Sequence, residues 1–168
     1  GQAFENGGLI RLNATLQVSS AVSIDGSTAG GEVIITGDKS GDDSLIGTTM
    51  LSDVVASTVS QLDDNVQVLN FDATSDGSSL HQLTITGGSA AEGGGIAASN
   101  SNLTISDSVI RGNVAANYGG GLDMNESGFL IQGSTIANNA ARFGGGLFSN
   151  TLSFGSVTGQ ITNSTISA

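Results

Sequence analysis

The chain has 168 residues, of which 38% are hydrophobic and 26 are glycine, and it contains no proline, cysteine or tryptophan. This length suits one domain with a buried core, but six phenylalanines and one tyrosine mean that Ile, Leu, Val and Ala must fill that core in thin layers. Fifteen acidic residues against four basic ones give a net charge of −11, which excludes nucleic acid and anionic membranes as partners because both bind Lys/Arg-rich surfaces. The absence of cysteine excludes disulfide and thiolate chemistry but not secretion.

The first half of the chain is a series of short apolar segments separated by Gly/Ser turns. Residues 9–12, 21–25 and 33–36 read as strands, and residues 66–71 precede another strand at 83–86. Their apolar residues recur with the strand period of two or in short clusters, and no segment has helical spacing over enough residues to form a stable helix.

The stretch from Asp38 to Asp64 interrupts this rhythm. We interpret residues 38–64 as a loop excursion from one corner of the fold, with a short helical turn within residues 48–62. In repeat proteins such insertions either form a binding face or cover one end of the core, and the sequence favours neither role over the other.

The second half of the chain contains a repeat marked by glycine triplets, each followed by an aliphatic residue. The triplets are 26 and 25 residues apart, and a constant period of this size is the signature of a repeat architecture. Glycine permits the positive φ and the close backbone approach that a corner requires. The three copies are Gly93, Gly94, Gly95 and Ile96; Gly119, Gly120, Gly121 and Leu122; and Gly144, Gly145, Gly146 and Leu147.

Two rows of isoleucine keep the same period as the triplets. The steps in the first row are 25, 26 and 30 residues, and the second row lies five residues before the first. Since residues five apart on one straight strand face opposite sides, Ile105 and Ile110 both face inward only if the chain bends near Asp107. The rows are Ile85, Ile110, Ile136 and Ile166, and Ile105, Ile131 and Ile161, with equivalent bends at Gly133 and Asn163.

These markers predict an all-β fold, namely a right-handed single-stranded parallel β-helix with coils of about 25 residues. One coil then holds about three short strands and three corners, and stacked coils pair in parallel about 4.8 Å apart. We expect residues 1–168 to form a single β-helix domain, as a segment of a longer protein. Asn113 and Asn139 are expected to bond backbone groups at one corner, and Ser108, Ser134 and Ser164 are expected to form an interior hydroxyl stack.

A short signature occurs twice beside the glycine triplets. Residues 110–113 precede the triplet segment 119–122, and residues 136–139 precede 144–147. This arrangement resembles the paired FxxN and GGA[ILV] signatures of chlamydial-type polymorphic outer-membrane proteins, with Ile in place of Phe and a third Gly in place of Ala.

A second resemblance begins earlier in the chain. Residues 62–71 leading to 83–88 are similar to segments of large bacterial exoproteins with right-handed β-helix repeats, some of which carry an N-terminal CSLREA motif. The resemblance covers about residues 20–168 and implies an adhesin, a surface component or a matrix component. The same fold also hosts polysaccharide lyases and glycosidases, so the fold alone does not define an activity.

No catalytic residue is predicted. A lyase would need a basic proton acceptor beside acidic calcium ligands, but Arg111 and Arg142 have no acidic cluster at the same coil position. A glycosidase needs two carboxylates at a defined separation, whereas Asp107 and Asp123 are expected at different corners. His81 is the only histidine and no GxSxG motif accompanies it, so we expect it at a surface or turn position.

Calcium is the one cofactor that the sequence suggests. Asp38, Asp42 and Asp43 surround a Gly turn and would offer the hard oxygen ligands that Ca²⁺ prefers. Residues 72–77 form a second acidic turn. Neither segment matches an EF-hand or a nonapeptide calcium repeat, and hydrogen bonding within the turn is the competing interpretation.

We therefore expect a non-enzymatic extracellular module, a rigid segment of a bacterial adhesin, surface layer or matrix protein. Its partners would be further copies of itself or neighbouring β-helix coils, because an open strand edge is a template for another strand. Cell-surface glycans and a host or bacterial surface are the other candidate partners. The alternative function is a carbohydrate-active β-helix, whether a lyase, a hydrolase or a glycan-binding module. The sequence has no long apolar run, so membrane insertion is not expected.

Overall fold

The structure, a computed structural model, describes residues 7–41, 64–151 and 158–167. Its elements are short strands with a single 3₁₀ turn, and every strand pairing is parallel. In chain order they are β1 (Gly8–Arg11), β2 (Leu16–Val18), β3 (Ser23–Asp25), β4 (Val33–Thr36), β5 (Leu69–Phe71), the 3₁₀ turn Ala73–Ser75, β6 (Ser78–His81), β7 (Leu83–Thr86), β8 (Ser89–Glu92), β9 (Ile96–Ser99), β10 (Leu103–Ser106), β11 (Val109–Arg111), β12 (Val114–Tyr118), β13 (Leu122–Asn125), β14 (Phe129–Gln132), β15 (Thr135–Ala137), β16 (Leu147–Asn150), β17 (Gly159–Thr162) and β18 (Thr165–Ser167).

Three long sheets run along the molecule, and each complete coil contributes one strand to each sheet, while β18 adds a sixth strand to the first sheet alone. Sheet 1 has the order β1-β4-β7-β11-β15-β18, sheet 2 has the order β2-β5-β9-β13-β16, and sheet 3 has the order β3-β6-β10-β14-β17. Together they form a parallel β-helix of about 5 turns, with stacked coils about 26 residues apart. The predicted fold class is therefore confirmed.

The residues after the glycine triplets lie in one column on sheet 2. Leu122 pairs in register with Ile96 in the preceding coil and with Leu147 in the following coil. Ile96 and Leu122 are fully buried, and Leu147 packs against the same core. Full burial of one such side chain contributes about 1.5–3 kcal/mol, so the column is a main source of cohesion between coils.

The two isoleucine rows are also columns, one on sheet 1 and one on sheet 3. Ile105 and Ile110 are both fully buried, and the chain bends between them at Asp107, whose φ is 49°. Gly133 and Asn163 have the same left-handed conformation in the following coils, which confirms the predicted bend. The sheet 1 column extends further than the sequence indicated, through Ile10, Ile35, Ile85, Ile110, Ile136 and Ile166.

Polar ladders run through the interior beside these columns. The Oγ of Ser134 accepts a hydrogen bond from the backbone N of Ser108 at 3.1 Å, and the Oγ of Ser164 accepts one from Ser134 N at 3.0 Å. Each hydroxyl donates in turn to a carbonyl two residues earlier in its own coil. The predicted hydroxyl stack therefore bonds the backbone rather than itself, and this satisfies buried groups at the bend.

The structure adds elements that the sequence did not predict. Strands β2 and β6 complete the first two coils, and β8 pairs with β12 in a fourth, two-stranded sheet. A coil in this region therefore holds four strands rather than three. Residues 42–63, which include the predicted helical turn, lie outside the described residues. Within the described part of the chain, no helix is long and apolar enough to cross a membrane.

Candidate functional site

Asp38, the first of the predicted calcium ligands, is fully buried and already has protein partners. Its Oδ1 accepts a hydrogen bond of 2.6 Å from the backbone N of Gly41, and its Oδ2 lies 3.4 Å from Nη1 of Arg11. These contacts close a turn and neutralise a buried carboxylate, as such a group requires. Asp38 therefore has a structural role at this corner, independent of any metal ion.

The remaining calcium candidates are not assembled into a described site. Asp42 and Asp43 lie outside the described residues, so calcium binding at that loop stays a prediction. In the second acidic turn, Asp72 caps the 3₁₀ turn by accepting from Thr74 N at 2.8 Å, and Asp76 accepts from Asn102 N at 2.7 Å. Among the residues that the structure describes, no group of three or more His, Asp or Glu side chains is placed to hold a metal ion.

His81 lies on sheet 3 and is half-buried beside two polar side chains. Its Nδ1 is 2.8 Å from Ser106 Oγ and 3.7 Å from Asp107 Oδ2. A catalytic relay needs the hydroxyl and the carboxylate on opposite ring nitrogens, whereas here both contact the same nitrogen. The arrangement is therefore not a Ser-His-Asp triad. The cleft beside it has a volume of about 390 Å³ and is lined partly by Glu32, Thr84 and Asp107.

The two arginines that could serve a lyase lie in different settings. Arg111 ends β11 on the outer side of sheet 1 and is half-buried. The guanidinium of Arg142 lies 5.2 Å from the centroid of the Phe143 ring, close enough for a cation–π interaction. No carboxylate forms an ion pair with either arginine within the described residues.

The most unusual group of side chains lies at the glycine-triplet corner, on its outer side. It joins carboxylates, aromatic rings and one guanidinium from three successive coils. We call it the aromatic–acidic patch; its members are Glu92, Tyr118, Asp123, Arg142, Phe143 and Phe148.

Coil stacking assembles the patch from residues on either side of each triplet. Tyr118 precedes one triplet and pairs with Glu92 in the preceding coil and with Phe143 in the following coil. Asp123 is the second residue after the same triplet and pairs with Phe148. The positive φ of Gly119, 58°, turns the chain so tightly that a Cβ there would lie 2.7 Å from the Cα of Asp123. The corner therefore places Tyr118 beside Asp123.

The aromatic rings of the patch form one continuous stack. The Tyr118 ring lies 4.5 Å from the Phe148 ring at 33° and 5.6 Å from the Phe143 ring at 22°, measured between centroids. These distances are in the range of favourable aromatic pairs. Phe143 is 47% exposed, so part of this stack is open to solvent.

Asp123 is the one member of the patch whose environment is electrostatically costly. It is 7% exposed, and no hydrogen bond or ion pair partners its carboxylate within the described residues. Burial, with a smaller contribution from the negative charge of Glu92, raises the pKa of Asp123 to about 6. Buried carboxyl groups with a perturbed pKa are enriched at functional sites, and this one lies beside the half-buried rings of Tyr118 and Phe148.

The sequence indicates Asp123 only as a carboxylate at a different corner from Asp107 and does not predict the patch. The signal was present, because Tyr118 and Phe143 each directly precede a triplet and Asp123 and Phe148 each follow one by the same step. Aligning the repeats around the glycines would have put these side chains on one face. The burial of Asp123 depends on the packing of three coils and has no local signal.

Comparisons with known proteins identify no relative. No protein-family model matches the chain, and no curated protein and no solved structure matches it either. The class of protein is therefore defined by the fold itself: a parallel β-helix solenoid with an aromatic–acidic patch on its outer surface.

Proposed function

We propose that this chain is a non-enzymatic, extracellular structural and adhesive module, a rigid segment of a bacterial surface or matrix protein. The carrying observation is the in-register column through Ile96, Leu122 and Leu147, reinforced by the interior polar ladders. Such a stack makes a stiff, elongated support whose outer surface can vary without loss of the core. The resemblance of the triplet repeat to polymorphic outer-membrane proteins supports the same assignment.

The net charge of the chain and the exposed apolar residues at the ends of its columns support end-to-end assembly with further coils. The net charge of −11 keeps a Gly-rich surface soluble and discourages side-by-side association. At one end of the described stack the inward column residues Ile161 and Ile166 are 42% and 46% exposed, and Leu16 at the other end is 41% exposed. A coil from a second copy would cover these apolar residues and satisfy the open strand edge.

Sedimentation velocity and negative-stain electron microscopy over a range of concentrations test this assembly. We expect end-to-end oligomers from the unmodified chain and monomers from the double variant Ile161→Lys, Ile166→Lys, which places charges on the exposed core column. Thr165→Lys is the matched control, because Thr165 is exposed on the same strand but faces the opposite side. Monomers at every concentration for the unmodified chain would contradict end-to-end stacking.

A carbohydrate-active β-helix is the second candidate function, and one observation favours it. Burial, with a smaller contribution from the negative charge of Glu92, raises the pKa of Asp123 to about 6, and a carboxyl group with a raised pKa serves as the general acid in glycoside hydrolysis. Assays for new reducing ends and for unsaturated products, on neutral and acidic polysaccharides with and without calcium, decide between the candidates. Turnover that is lost in Asp123→Asn, Arg111→Ala or Arg142→Ala would overturn the non-enzymatic assignment.

A further inference from the structure

We propose that the aromatic–acidic patch is a glycan-binding site for uncharged sugars, in which the ring of Phe148, held in place by the Tyr118 ring packed against it, stacks on a sugar and the carboxylate of Asp123 accepts its hydroxyl groups. This inference rests on the adhesive part of the proposed function and names the partner class for it.

The aromatic part of the patch matches the apolar face of a sugar ring. Of the five aromatic residues that the structure describes, Phe71 is fully buried and Phe129 packs against the core. The other three, Tyr118, Phe143 and Phe148, are gathered at one corner. Because successive coils are about 4.8 Å apart, their stack spans two coil layers, which is about the length of one pyranose ring.

The polar part of the patch provides an acceptor that the protein itself leaves without a donor. The Asp123 residue is 7% exposed, but its carboxylate oxygens are not among the fully enclosed, unpartnered polar atoms of the described residues, so they keep contact with solvent and can accept from a bound molecule. Sugar hydroxyl groups are donors, so a bound sugar would supply the hydrogen bonds that the described residues do not. Its raised pKa of about 6 leaves Asp123 ionised at neutral pH, when it accepts most strongly.

The charges around the patch select among glycans. Glu92 adds a second carboxylate near Asp123, and the whole chain has a net charge of −11. Both repel polyanionic glycans such as polyuronides. The guanidinium of Arg142 lies over Phe143, which reduces the attraction of the patch for a cationic sugar. These features together favour an uncharged glycan.

Neighbouring rows define the limits of the site along the outer face of sheet 2. The outward row runs in register through Asn70, Ala97, Asp123 and Phe148. Ala97 has the smallest side chain of the row, so it offers the least obstruction on one side of the carboxylate. On the other side of the carboxylate, the aromatic ring of Phe148 limits the site and would orient the apolar face of a sugar.

Isothermal titration calorimetry with oligosaccharides on the full chain tests the proposal. The uncharged probes are cello-, manno-, xylo- and β-1,3-gluco-oligosaccharides; chitosan oligosaccharides are the cationic arm and oligogalacturonate is the anionic arm. We expect saturable binding of at least one uncharged probe, a loss of affinity of about tenfold or more in Asp123→Asn and in Phe148→Leu, and weaker binding at pH 5 than at pH 7.5.

Asp107→Asn is the matched control, because Asp107 is an exposed carboxylate on another corner and Asn adopts its left-handed conformation readily. It should leave the affinity unchanged, and thermal unfolding should confirm that all variants fold. Binding of the cationic or anionic arm alone, binding of no uncharged probe, or full affinity in Asp123→Asn would overturn the site.

The possible outcomes distinguish a failure of the glycan-binding site from a failure of the proposed function. End-to-end assembly without glycan binding would remove the site and leave the structural rod. Glycan binding that depends on Asp123, accompanied by new reducing ends, would support the site and overturn the non-enzymatic assignment.

Discussion

The side-chain oxygen Oδ1 of Asn139 accepts two hydrogen bonds from Asn113, one from its backbone N and one from its Nδ2, both at 3.0 Å. Asn113 makes the equivalent backbone contact one coil earlier, where its Oδ1 accepts from Gly88 N at 2.9 Å. Its Nδ2 also donates to Ile85 O and Arg111 O, each at 3.1 Å. The two asparagines therefore form a ladder that bonds three coils at a corner, where it adds to the backbone hydrogen bonds from Val114 N to Gly88 O and from Ala140 N to Asn113 O.

Removing one amide from this ladder should destabilise the stack. Asn113→Ala leaves the buried Gly88 N without an acceptor and removes the Nδ2 hydrogen bonds to Ile85 O and Arg111 O, and an unsatisfied buried group alone costs about 1–3 kcal/mol. We expect the free energy of unfolding to fall by about 2–4 kcal/mol, measured by urea denaturation. Asn125→Ala is the control, because Asn125 is exposed on β13 and should change stability by less than about 0.5 kcal/mol. Equal effects in the two variants would contradict a structural role for the ladder.

The middle glycine of a triplet is required by close stacking rather than by its φ. A Cβ on Gly120 would overlap the carbonyl oxygen of Ala140 and lie 2.6 Å from that of Gly145. Gly120→Ala should therefore cost about 3 kcal/mol. Gly146→Ala is the comparison, because its Cβ would meet methyl groups of Ile166 and Ile136 at 3.1 and 3.3 Å, and we expect a change within about 1 kcal/mol. Thermal unfolding of both variants measures the difference; an equally mild Gly120→Ala would contradict direct stacking of the triplets.

The pKa of Asp123 predicts a pH-dependent difference in stability between the natural chain and Asp123→Asn. The pKa rises from 3.8 to about 6 on folding, so the folded state holds its proton more tightly than the unfolded state. Protonated Asp123 therefore contributes its full stabilisation of the folded state below about pH 4, and this stabilisation is lost as pH rises through 6. Asp123→Asn should therefore become more stable relative to the natural chain by about 1–3 kcal/mol between pH 4 and pH 7.5.

Urea denaturation of both proteins across this pH range is the measurement. Hydrogen bonds from Ser27 and Thr74 lower the pKa of Asp25 and Asp72 respectively. The stabilisation of the folded chain by those two carboxylates is lost as pH falls. The loss is the same in both proteins, so it cancels in the difference between their free energies of unfolding. A stability difference that is independent of pH would show that Asp123 is not desolvated.

Asp38 should stabilise the chain without a metal. Asp38→Asn weakens the contacts with Gly41 N and Arg11 and should cost about 1–3 kcal/mol in the presence of a chelator. Repeating the thermal unfolding with millimolar calcium tests the predicted site formed with Asp42 and Asp43. A rise in the melting temperature of the natural chain that is absent in Asp38→Asn supports calcium binding there; equal behaviour of the two proteins contradicts it.

The sequence was informative where side chains repeat with the coil. The triplets, the isoleucine rows and Asn113 with Asn139 could be aligned because equivalent residues must stack directly over one another. The Ser75, Ser101 and Ser127 ladder follows the same rule but was overlooked in a serine-rich chain. Strand β6 was missed for a related reason, since its Ser78 and Ser79 carry no apolar alternation.

The candidate site was harder to predict than the fold, because its chemistry depends on neighbouring coils. Nothing near Asp123 in the sequence indicates that its carboxyl group is buried, and that burial results from the turn at Gly119 and from the ring of Phe148 above it. Asp38 shows a different case: the acidic, Gly-containing turn predicts calcium ligands, which stays a prediction, and the sequence did not indicate that the Asp38 carboxylate closes the turn and pairs with Arg11 from the preceding coil.

Disulfide cross-linking of paired cysteines tests the stacking of the coils most directly, because the chain has no cysteine of its own. Asn125 and Asn150 are in register on adjacent coils, so their Cα atoms should be about 4.8 Å apart, within reach of a disulfide. In Asn125→Cys combined with Phe148→Cys the offset of two residues increases this separation to about 8 Å, which is too far. We predict an intramolecular disulfide, detected by mass spectrometry, in the first pair and not in the second; cross-linking of the second pair in preference to the first would contradict the β-helix register.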